Sequence, residues 1–75
     1  MTIERTACKA ANGRKWRMYR VLNNQGVVEI TIHVGLGKPT VSTWSESLTT
    51  WVTVDTDRRS VADLLWNLRP ESASN

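Results

Sequence analysis

Apolar and polar residues alternate from Arg14 to Leu22 and again from Val28 to Val34, and this period-two pattern predicts a pair of half-buried β-strands. Between them lies Asn24-Gln25-Gly26. That triplet suits a three-residue hairpin loop whose last residue takes the left-handed conformation open to glycine. The loop sets a register in which Trp16 faces Val34, Met18 faces Ile32, Arg20 faces Ile30 and Leu22 faces Val28. Three of these four pairs are wholly apolar, as an inner face requires. Arg20 breaks the rule. A side chain of its length can reach a sheet edge, pair with a carboxylate, or mark a bulge that shifts the strand. On this register Lys15, Arg17, Tyr19 and Val21 look outward together, beside Glu29, Thr31 and His33.

Upstream, Asn12-Gly13 is the dipeptide favoured in a type I′ turn, so it predicts a tight hairpin joining a strand from Ile3 to Ala11 with the one from Arg14 to Leu22. A short helix over Glu4–Ala11, closed by Gly13, is the competing reading of the same residues. In the hairpin, Thr6 and Cys8 join the outward face.

Downstream, Gly35-Leu36-Gly37-Lys38-Pro39 interrupts the strand pattern and reads as a loop. Thr40–Trp44 and Thr50–Val54 are rich in β-branched residues and form a further hairpin, with Val41 against Val54, Thr43 against Val52 and Trp44 against Trp51. The valines and the tryptophans then lie on opposite faces. Ser60 followed by Asp63 is an N-cap signal. Val61, Leu64, Leu65 and Leu68 recur at helical spacing until Pro70, and Trp66 points away from that stripe beside Ala62 and Arg69. The expected architecture is α+β: an antiparallel meander of four to five strands, strongly twisted or rolled toward a small barrel, with one C-terminal helix. Residues 1–69 read as a single small domain and 70–75, which lack apolar side chains, as a flexible tail.

Length and composition narrow the chemistry. A domain of 75 residues buries only about 60% of its unfolded surface, too little to support a deep catalytic cleft. Cys8 is the one cysteine, so neither an internal disulfide nor a cysteine-based zinc site is available. Four tryptophans, Trp16, Trp44, Trp51 and Trp66, are therefore the natural core-fillers and anchors, each able to bury about 200 Å². No apolar run approaches the roughly 20 residues that span a bilayer, and the chain reads as a soluble, cytoplasmic protein.

Catalytic signatures are lacking. Cys8 and His33 share a face in the expected hairpins, with Arg17 between them, yet no nucleophile elbow or oxyanion glycines accompany them. Asp55 and Asp57 alternate as a calcium loop begins, without its glycine and closing glutamate. Gly35-Leu36-Gly37-Lys38 lacks the full phosphate-loop pattern. The expectation is a non-enzymatic protein that uses no metal or cofactor.

The net charge of +3 favours acidic partners. Arg14, Lys15, Arg17 and Arg20 interleave with Trp16 and Tyr19, the mixture that stacks bases and holds phosphates, and equally the ordinary dress of a solvated strand. Trp66 and Arg69 are the residue types that dominate protein-interface hot spots. The expected binding residues are Arg14, Lys15, Arg17, Tyr19, His33, Trp66 and Arg69. The leading expectation is a small regulatory protein that docks on another protein, with single-stranded nucleic acid on the outer sheet face as the alternative. Size, charge and tryptophan content resemble the small proteins that phages make to engage host transcription or other information-processing machinery. As a β-rich chain it is expected to be a monomer or an edge-paired homodimer.

Overall fold

The computed structural model of the protein describes residues 1–68. Five strands, β1 (Thr2–Lys9), β2 (Lys15–Leu22), β3 (Val28–Val34), β4 (Thr40–Ser45) and β5 (Thr50–Asp55), form one antiparallel sheet in sequence order, and helix α1 (Arg58–Leu68) follows. The N-terminal segment is a strand, so the hairpin reading holds over the helical one. β1 and β5 stand at opposite edges of the sheet, which stays open and is not rolled into a barrel. The expected tail at 70–75 lies outside the described residues.

The first two hairpins turn in the same way. Ala10 N–H donates to Arg14 O and Gly13 N–H to Ala10 O; Asn23 N–H donates to Val27 O and Gly26 N–H to Asn23 O. Gly13 and Gly26 have φ of 85° and 79°, the left-handed region that a side chain makes costly. Both loops thus hold three residues, Ala11-Asn12-Gly13 and Asn24-Gln25-Gly26. The two-residue turn expected at Asn12-Gly13 is one residue too short, and the true register sets Cys8 against Trp16 and Lys9 against Lys15.

The decisive departure lies between β2 and β3. Leu22 faces Val28 as expected, but Val21 faces Ile30, so Glu29 is an extra residue without a counterpart on β2. Beyond this bulge every pair is shifted by one: Tyr19 meets Ile32, Met18 meets His33 and Arg17 meets Val34. Since side chains alternate faces along a strand, a one-residue slip exchanges the two faces of β2 relative to β3. Lys15, Arg17, Tyr19 and Val21 therefore share the face of Ile30, Ile32 and Val34, while Trp16, Met18 and Arg20 share the face of Thr31 and His33. The β4–β5 register matches the expected one throughout.

The core follows from this inversion. Val21 and Ile32 are 1% and 0% exposed, and Val61 of α1 is buried as well. Side chains on a single-layer sheet reach such values only beneath a second layer, and α1 is the sole described element outside the sheet. Its stripe of Val61, Leu64, Leu65 and Leu68, all buried or half-buried, covers the Val21/Ile32 face. Trp66 sits off the stripe and is 65% exposed, as the sequence suggests.

The helix starts earlier than its sequence signal. Asp57 is the N-cap: its Oδ1 accepts the Ser60 amide at 2.7 Å and its Oδ2 the Ser60 hydroxyl at 3.0 Å. Ser60, expected to be the cap, is instead the residue that the cap engages. Thr56 N–H donates to Pro39 O at 2.9 Å, tying the entry of the helix to the β3–β4 connection.

Candidate functional site

The register decides where each charged side chain stands. On the helix-covered side, Ala7 opposes Arg17 and Lys9 opposes Lys15 across the β1–β2 ladder, with Arg5 opposite Tyr19. Arg58, the first residue of α1, joins them: it shares a shallow groove with Ala7, Lys15, Trp16, Arg17 and Leu36 at the end of the sheet. Its guanidinium donates to Gly35 O, which fixes it above the β3–β4 connection. Arg5, Lys9, Lys15, Arg17 and Arg58 thus form one exposed cationic band along the β1–β2 edge. Directly opposed like charges such as Lys9 and Lys15 repel. None of the five has an ion-pair partner, because the one salt bridge among the described residues joins Arg20 Nη2 to Glu4 Oε1 at 2.6 Å.

Arg20 resolves the exception in the apolar pattern twice over. The bulge moves it to the open face, and Glu4, across the β1–β2 ladder, supplies its carboxylate. Both side chains are about two-fifths exposed, so the pair adds about 1 kcal/mol or less to stability. Its Nε is covered and has no hydrogen-bond partner among the described residues.

The surface expected from Lys15, Arg17, Tyr19 and His33 is divided by the bulge. The first three stand on the helix-covered side and His33 on the other, opposite Met18. Tyr19 is half-buried against the core rather than displayed. Arg14 and His33 do come together, on the open side, around a groove with Trp16, Asn12 and Lys38. Trp66 stands in the last turn of α1, eight residues or about 12 Å along the axis from Arg58. Arg69 lies outside the described residues.

Three cations of the band, Arg5, Lys9 and Arg58, are absent from the residues singled out by sequence. Both hairpins carry glycine three positions after the residue that opens the turn, Ala10 and Asn23; giving the first the loop length of the second would have brought Lys9 opposite Lys15. Nothing in the local pattern of α1 announces Arg58, whose place depends on the fold.

At the far end of the open face, Trp44 and Trp51 meet edge to face, their rings 6.0 Å apart and inclined at 71°. They are 45% and 41% exposed and line a groove with Val27, Val28, Glu29 and Glu46.

Cys8 and His33 both stand on the open face but on strands separated by β2, whose Trp16 and Met18 lie between them. Among the described residues, no three His, Cys, Asp or Glu side chains gather as metal ligands would. No described helix is long and apolar enough to cross a membrane. Comparison of the chain with models of protein families, with curated proteins and with solved structures finds no match.

Proposed function

We propose that the chain is a small non-enzymatic regulatory protein that docks on an acidic face of another protein through the cationic band of Arg5, Lys9, Lys15, Arg17 and Arg58. The observation that carries this reading is the opposition of Lys9 and Lys15 within a band that no described carboxylate neutralises. Uncompensated repulsion of this kind is relieved when a surface of opposite sign arrives, which also speeds association. Leu36, 91% exposed beside the band, adds an apolar contact of the sort that a protein partner buries.

Affinity capture from lysate tests the reading. A captured protein lost on Arg17→Glu and on Lys15→Glu, and released by moderate salt, supports it. Retention of every captured protein by both variants contradicts it.

A second reading rests on a different observation. Arg14, Lys38 and His33 surround Trp16 on the open face, a combination able to stack a base and hold its phosphates. It requires that a short single-stranded oligonucleotide change tryptophan fluorescence at low salt, with affinity falling steeply as salt rises.

A further inference from the structure

On the face of the sheet that α1 leaves open, charge is sorted by end. Where the β1–β2 loop and the β3–β4 connection meet, Arg14 and Lys38 stand around Trp16. At the opposite end, Glu29 and Glu46 stand around Trp44 and Trp51. All four charged residues are exposed, and the one ion pair among the described residues uses none of them. Two further charges moderate the sorting without reversing it. Asp55 lies at the basic end on the edge strand, opposite Thr40, and the Met1 ammonium lies at the acidic end, where it donates to Asn24 Oδ1.

We infer that this open face is the contact surface for a second copy of the chain, packed face to face about a two-fold axis that runs across the strands. A closed dimer needs a surface complementary to itself, so that whatever one copy offers the other accepts, twice. An axis across the strands lays the basic end of each copy on the acidic end of the other. An axis along the strands would set Arg14 and Lys38 against their own duplicates, like charge on like. In the first arrangement Lys38 of one copy reaches the Trp44–Trp51 groove of the other, where indole faces attract a cation and Glu29 and Glu46 complete its neutralisation. Stacked sheets lie about 10 Å apart, a gap that tryptophans contributed from both sides fill. Pairing through the edge of β1 is disfavoured by Glu4, Arg5 and Lys9 along that strand.

The cationic band lies on the other side of the sheet, so this inference goes beyond the docking proposal and fails or survives independently of it. Sedimentation velocity tests it on four samples of the full chain: wild type, Arg14→Glu/Lys38→Glu, Glu29→Lys/Glu46→Lys, and an equimolar mixture of the two variants. All four positions are exposed, and circular dichroism checks that each variant keeps the fold. The wild type is expected to dimerise, and each variant alone to dissociate at least about tenfold more readily, because each then carries one sign at both ends. The mixture is expected to regain the dimer, since its two partners are complementary at both ends. A wild type that stays monomeric up to about 1 mM overturns the inference. So does a dimer that both variants form as readily as the wild type, which would place the contact at an edge or on the helix side.

Discussion

Val21 stands directly opposite Ile30 although its neighbour Leu22 stands opposite Val28, and this single skipped position, Glu29, assigns every side chain of β2 to its face. Removing Glu29 should therefore be tolerated. Ile30 would follow Val28 in the regular alternation and still meet Val21, leaving Tyr19 against Ile32 and Arg17 against Val34. Deleting Thr31 instead would turn Ile32 and Val34 onto the open face and is expected to abolish cooperative unfolding. Thermal denaturation of the two deletion variants, followed by circular dichroism, separates these outcomes.

Ile32 is wholly enclosed, whereas Leu36 is nearly all exposed. Truncation to alanine should cost about 2–5 kcal/mol at Ile32, from lost transfer energy and the cavity left behind, and within about 0.5 kcal/mol of nothing at Leu36. Urea titration of both variants measures the difference.

Asp57 caps α1 through the Ser60 amide and hydroxyl, and the Ser60 amide, then its hydroxyl, then the Arg59 amide hold its carboxyl below the ordinary aspartate value. A carboxyl depressed by folding stabilises the folded state above its unfolded pKa, about 3.9, and loses that contribution as pH falls through its lower folded value. Stability is therefore expected to fall with pH in the acidic range below about 4. The fall should be shallower in Asp57→Ala, which starts from a lower melting temperature at pH 7. Melting curves of wild type and variant between about pH 2 and about pH 7, which bracket the titration, give both signs.

Thr49 closes the β4–β5 turn at φ 53°, a conformation poorly suited to a β-branched residue. Asparagine tolerates that region better, so Thr49→Asn should stabilise by about 0.5–1 kcal/mol, read as an increase in the urea midpoint at unchanged slope.

The elements themselves were legible because period and turn chemistry are local. Thr40–Trp44 against Thr50–Val54 came out in register because the hairpin has neither bulge nor ambiguous phase. β2 was ambiguous: Trp16, Met18 and Leu22 read as one apolar face, Tyr19 and Val21 as the other, and a single extra residue chose between them. Arg20 was the visible warning, since a bulge accounts for its place on the open face. The cationic band was only partly legible for the same reason. Lys15 and Arg17 stand out by the density of basic residues in sequence, but their neighbours Lys9 and Arg58 depend on a loop length and on where a helix begins. His33 joins them only in a register that the bulge cancels.

The central claim is that Arg5, Lys9, Lys15, Arg17 and Arg58 form one docking surface for acidic protein along the β1–β2 edge. The direct measurement is a heteronuclear NMR titration of the labelled chain with a short aspartate- and glutamate-rich peptide at low salt. The account predicts saturable shifts confined to the amides of Arg5, Ala7, Lys9, Lys15, Trp16, Arg17, Leu36 and Arg58, reversed by added salt. Shifts centred on His33 and Lys38 instead, or none at all, would contradict it.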